Sequence, residues 1–156
     1  MRAMNELSEI LTLAGKWTGT YRLILDENTP ERVSSTAATL SPVAGGRFAR
    51  LDYDWEDKGK PQDGSLLVGF EEERSVATAV WVDSWHMSNK FLISEGKAVR
   101  GSVDVNGSYA APPGPDWGWR TTLGPGPDRT LRMVMYNLTP DGEEYLAVEA
   151  MYTRAE

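Results

Sequence analysis

Gly15-Lys16-Trp17-Thr18-Gly19-Thr20-Tyr21-Arg22-Leu23-Ile24-Leu25 alternates along its length. Trp17, Gly19, Tyr21, Leu23 and Leu25 fall on one face, and Lys16, Thr18, Thr20, Arg22 and Ile24 on the other. A period of two marks a half-buried strand. The alternation returns in Arg47–Glu56, where Leu51, Tyr53 and Trp55 oppose Arg50, Asp52 and Asp54. Further strands are predicted near 32–40, 65–70, 76–84, 90–95, 98–109, 117–123, 130–138 and 144–154. Turn chemistry separates them, including Asp57–Pro61, Glu71–Arg74, Gly96-Lys97, Gly124–Asp128 and Pro140-Asp141-Gly142.

About ten short strands with hairpin-length links predict an all-β fold, an antiparallel up-and-down β-barrel. A meander of that many strands leaves open edges unless it closes on itself. Upstream, Leu7, Ile10, Leu11 and Leu13 are spaced for a short N-terminal helix over Asn5–Ala14, stopped by Gly15. Its aliphatics need a surface to cover, so it is expected to plug one end of the barrel. Residues 1–156 read as one domain, because a chain of this length supports a single core.

The net charge of −7 argues against nucleic acid, which needs a basic face that 16 scattered Lys and Arg do not form. No basic amphipathic helix is present to bind a membrane surface, and no apolar run is long enough to span one. Cysteine is absent, which removes disulfides, thiolate ligands and thiol nucleophiles. One histidine and no cysteine predict no metal site. Met1–Leu7 lacks the apolar core of a signal peptide, so a cytoplasmic location is expected.

The Gly15-Lys16-Trp17 opening, set after a short helix and before a meander, resembles the start of calycin barrels, the superfamily of lipocalins and fatty-acid-binding proteins. That resemblance implies that Trp17 packs across the closed end against an arginine after the last strand, here Arg154. Its sense is a structural cation–π contact. Leu13–Gly19, Val80–Met87 and Pro112–Arg120 resemble a bacterial family, domain of unknown function 1579, with a lipocalin-like fold. The resemblance covers nearly the whole chain and implies a fold but no activity. Gly15, Trp17 and Gly19 are also similar to the opening of nitrobindin, a haem-binding barrel. Nitrobindin holds haem through a histidine near its C-terminal end, and this chain has none after His86. No cofactor is therefore expected; haem would need His86 as axial ligand in a different pose.

Candidate contacts concentrate in Trp81–Met87 and Gly107–Arg120, which hold four of the six tryptophans and the only histidine. If the strand continues through His86, that residue shares a face with Val80, Val82 and Ser84, opposite Trp81, Asp83 and Trp85. His86 reads either as a hydrogen-bonded imidazole at a strand end or as a polar contact inside a cavity. The stiff loop Ala110–Asp116, with Pro112, Pro113 and Pro115, is either a plain crossover or a rim that aims Trp117 or Trp119 at the barrel mouth. An arginine facing an apolar interior requires an anion, so Arg120, Arg132 and Arg50 are candidates for a ligand carboxylate or an internal ion pair.

The leading reading is a barrel that binds a small apolar or amphipathic molecule through Trp85, His86, Trp117, Trp119, Arg120 and Tyr136. An enzyme with His86 as acid/base and Asp83 or a tyrosine as partner is the alternative, and no catalytic residue is assigned. A third reading is a side-chain-filled barrel used for homodimerisation.

Overall fold

A computed structural model describes residues 5–155, so the signal-peptide reading of Met1–Leu7 lies partly outside the described residues. In chain order the elements are α1 (Glu6–Leu11), β1 (Gly15–Leu23), β2 (Arg32–Val43), β3 (Phe48–Asp57), β4 (Lys60–Glu71) and β5 (Val76–Asp83). They continue as β6 (Leu92–Val99), β7 (Ser102–Tyr109), β8 (Trp117–Pro125), β9 (Leu131–Leu138) and β10 (Glu144–Arg154). Each strand pairs antiparallel with its chain neighbours, and β10 returns to β1, closing a ten-stranded up-and-down barrel. Closure leaves Trp17 opposite Arg154 on one side and Ala38 on the other.

The alternation read from the sequence sets the walls. Trp17, Tyr21 and Leu23 of β1, and Leu51, Tyr53 and Trp55 of β3, are buried inside. A ten-stranded barrel encloses more volume than aliphatic side chains readily fill. Here Trp17, Tyr21, Tyr53, Trp55, Trp81, Trp119 and Tyr152 join Leu, Val and Met residues in one continuous core. Tyr21 stacks on Trp55 at 4.4 Å between ring centres, and Trp81 on Trp119 at 5.2 Å.

The base of the barrel carries the tryptophan–arginine contact that the resemblance implied. The Arg154 guanidinium lies 4.6 Å from the Trp17 ring centre and donates to the carbonyls of Ala14 and Thr12. Trp17 Nε1 donates to the Leu13 carbonyl at 2.9 Å. Helix α1 covers this end with Leu7 and Ile10 buried, and it stops at Thr12 rather than at Gly15. Thr12 ends it by turning its own hydroxyl and amide back onto the Glu9 carbonyl.

One hairpin sits elsewhere than its glycine suggested. The β6–β7 turn is Arg100-Gly101, both left-handed (φ 54° and 79°), not Gly96-Lys97. Two left-handed residues match the twist of a two-residue hairpin. Gly64 serves the interior instead. A Cβ there would stand 2.4 Å from the Tyr53 hydroxyl and 2.8 Å from the Val82 carbonyl oxygen. Gly64→Ala is therefore expected to destabilise the barrel by about 1–3 kcal/mol, read as a lower urea midpoint. An unchanged midpoint would mean that β4 gives way freely around Tyr53.

Candidate functional site

Opposite α1, five connections ring the other end of the barrel: residues 24–31, 58–59, 84–91, 110–116 and 139–143. At this end β5 delivers Asp83 into the interior, and the chain turns sharply after it. Asp83 Oδ1 accepts the amide N–H of Trp85 (2.8 Å) and of His86 (3.0 Å), and sits 3.1 Å from His86 Nδ1. Its other oxygen accepts the Tyr53 hydroxyl at 2.6 Å and Trp55 Nε1 at 3.3 Å. Trp81 Nε1 in turn donates to the Tyr53 hydroxyl at 2.8 Å.

Burial works against the charge on Asp83, but hydrogen bonds from His86 and Tyr53 and the attraction of His86 outweigh it. The net effect is a carboxyl held below its ordinary value. Burial, and then the same carboxylate, push the Tyr53 and Tyr21 phenols far up, so both stay protonated and Tyr53 donates to Asp83. An ionised carboxylate only accepts, so His86 Nδ1 carries the proton facing it. In the neutral ring this leaves Nε2 as an acceptor, and it has no hydrogen-bond partner among the described residues.

The strand does not continue through His86, so the face it would have shared with Val80 and Val82 does not apply. Because β5 ends at Asp83, His86 folds back among the indoles instead of joining Val80 and Val82 outside. Its ring centre lies 4.7–5.8 Å from those of Trp85, Trp81, Trp119 and Trp55. Four indoles thus pack around this one imidazole. Among the described residues, no group of three or more His, Cys, Asp or Glu is placed to hold a metal.

The other predicted contacts separate. Trp119 faces inward, with its buried Nε1 lacking a partner, and Trp85 is partly exposed at the mouth with Nε1 donating to Asp57 at 3.0 Å. Arg120 and Tyr136 do not face the interior. Strand alternation turns Trp119, Thr121 and Leu123 inward, so Arg120 goes outside and lies over the Tyr136 ring at 5.1 Å. It grips Asp104 with two bonds (2.8 and 2.9 Å) and also Glu144. Arg132 is likewise spent on Glu149, and Arg50 on Asp52. No candidate arginine points into the barrel to meet a ligand carboxylate.

Trp117, at the start of the same β8 face, lines a cleft of about 560 Å³ on the rim. Leu25 and Glu27 of the β1–β2 loop, Asn137, Tyr145 and Leu146 supply other walls. Sequence reading missed this cleft because it joins a loop to three strands distant in the chain. A larger concavity of about 880 Å³ lies at the α1 end, but its walls are mainly polar, including Asn5, Ser8, Arg47 and Glu71.

The Asp83 network predicts a specific acid response. Its folded value is depressed, so its stabilisation is complete above the ordinary carboxylate value of 3.8 and is lost as the pH falls through the lower folded value. Asp83→Asn is expected to cost roughly 2–3 kcal/mol at neutral pH, because the amide NH2 puts a donor where one carboxylate oxygen accepted and leaves the donors aimed there unpaired. Urea unfolding of both proteins should show the gap narrowing in acid; a constant gap would mean that the charge is not responsible.

No curated protein matches the chain. A family model described as "Protein of unknown function (DUF1579)" matches residues 6–154, nearly the full length of the barrel described above. The chain belongs to the DUF1579 family.

Proposed function

We propose that this protein binds a small amphipathic molecule on the rim of the barrel at the end opposite α1, in the cleft walled by Trp117. The observation that carries the reading is the cleft itself. It combines Trp117, Leu25 and Leu146 with polar groups of Asn137 and Tyr145 in about 560 Å³. Small-molecule sites typically occupy about 300–1,000 Å³ and pair apolar walls with a few polar groups. The interior serves as a rigid support: its aromatic core, tied to Asp83, fixes the β8 strand that presents Trp117. Trp119, His86 and Trp85 then act behind the site, holding the mouth of the barrel, and Arg120 and Tyr136 brace the outer wall. Kinship with calycin barrels is part of this reading, supported by the short helix, the Gly15-Lys16-Trp17 opening and the Arg154 guanidinium on Trp17. We place the protein in the cytoplasm on its lack of cysteine.

A second reading, catalysis by an Asp83–His86 pair, has one observation in its favour. The buried carboxylate orients the imidazole as an acid/base pair requires. The ring is 9% exposed, so substrate would reach Nε2 only if the 84–91 loop moved. Rapid modification of His86 by diethyl pyrocarbonate would favour this reading; protection limited by unfolding would remove it.

The binding reading is tested by native mass spectrometry of protein purified from its own cells, followed by organic extraction. A stoichiometric small molecule that is lost in Trp117→Ala, with the fold intact by circular dichroism, is the expected result. A clean apo mass that takes up no amphiphile would sink it. The same spectrum reads oligomeric state, for which the outward row Val80, Val82, Phe91 and Ile93 is the surface to mutate.

A further inference from the structure

We propose that the rim cleft is selective for an organic cation, an amine or quaternary ammonium on a short apolar body. This deepens the binding reading above and rests on it. The charge around the cleft is one-sided. Asp26 and Glu27 line it, no Lys, Arg or His does, and Glu143 stands beside it as acceptor of the Tyr145 hydroxyl at 2.5 Å.

The guanidiniums that could neutralise this rim are already committed. Arg22 is bonded to Glu31 and Glu149, and Arg120 to Asp104 and Glu144. Glu27 and Glu143 form no ion pair among the described residues. Asp26 accepts the amides of Asn28 (2.8 Å) and Thr29 (2.7 Å), which fixes the β1–β2 loop over the cleft. The hydrogen bond to Glu143, its charge, and more weakly Glu27 all raise the Tyr145 phenol, so both carboxylates act on the same ring.

Aromatic faces and unpaired carboxylates recognise the same ligand chemistry. A cation over Trp117 or Tyr145 gains from the ring quadrupole and from the acidic rim together. A carboxylate head would meet Glu27 and Glu143 with no donor cation in reach, which is repulsive. A cationic head is opposite in charge to the ligand carboxylate for which Arg120, Arg132 and Arg50 were candidates. The arginines that suggested a fatty-acid carboxylate face outward into their own ion pairs, and the cleft is left anionic.

The test compares octyltrimethylammonium, octanol and octanoate by calorimetric titration at low ionic strength, below their micellar concentrations. The Trp117 indole N–H resonance reports location. Expected is a cation bound about tenfold or more tighter than the carboxylate, with a shifted Trp117 signal. Glu27→Gln with Glu143→Gln should erase most of that preference and leave octanol unchanged. A control pair at the far end, Glu9→Gln with Glu73→Gln, should leave the preference intact. Equal or tighter binding of octanoate, or equal loss of preference in the control pair, overturns cation selectivity while leaving the cleft as a binding site. If no probe binds, or if Trp117→Ala changes none of them, the cleft reading itself fails.

Discussion

A carboxylate buried in an aromatic interior persists only when its lone pairs are saturated, and Asp83 meets that condition by drawing on four residues from two parts of the chain. Tyr53 and Trp55 come from β3, and the backbone amides of Trp85 and His86 from the loop that follows β5. The His86 ring closes the set, while Trp81 from β5 itself secures the Tyr53 hydroxyl. These donors point inward from different elements, so they hold the mouth of the barrel in one arrangement. The absence of a side chain at Gly64 belongs to the same network, since it gives the Tyr53 hydroxyl its space.

The two ends of the barrel are closed by different physics. At the base, an indole and a guanidinium meet across the β1–β10 seam while α1 contributes aliphatic cover. At the mouth, polar satisfaction and stacked rings do the work, with four tryptophans around one imidazole. Both solutions spend the interior volume on the protein's own side chains. Open volume is left at the rim, where the β1–β2 loop stands off from β8, β9 and β10, and it is there that the proposed ligand would bind. A rigid aromatic core beneath such a site reduces the ordering cost of binding.

Much of the fold was legible because strand periodicity is a local property. Trp17, Tyr21, Leu23, Leu51, Tyr53 and Trp55 could be assigned to one face each by counting in twos, and closure followed from the number of strands. The pairing of Trp17 with Arg154 was also legible, through resemblance. Less of the site was. His86 lies three residues beyond Asp83, and counting in twos could give it the face of Val80 and Val82 only if the strand ran on; a side-chain carboxylate capturing two backbone amides ended the strand first. Trp117 and Trp119 were correctly given one face, but one lines the rim cleft and the other is sealed in the core, a difference set by the neighbouring loops.

By itself the sequence determined an all-β chain of ten strands in hairpin order, a helix at one end, and an interior rich in aromatics. Each of those follows from spacing between residues close in the chain. Only the tertiary structure decided which arginines were already paired, that His86 points into a ring of indoles, and where open volume remains. Ion pairs such as Arg120–Glu144 and Arg22–Glu149 join residues 24 and 127 positions apart. The cleft is bounded by a loop after β1 and by β8 to β10. Charge neutralisation and empty space depend on distances between remote segments, and no local pattern encodes them.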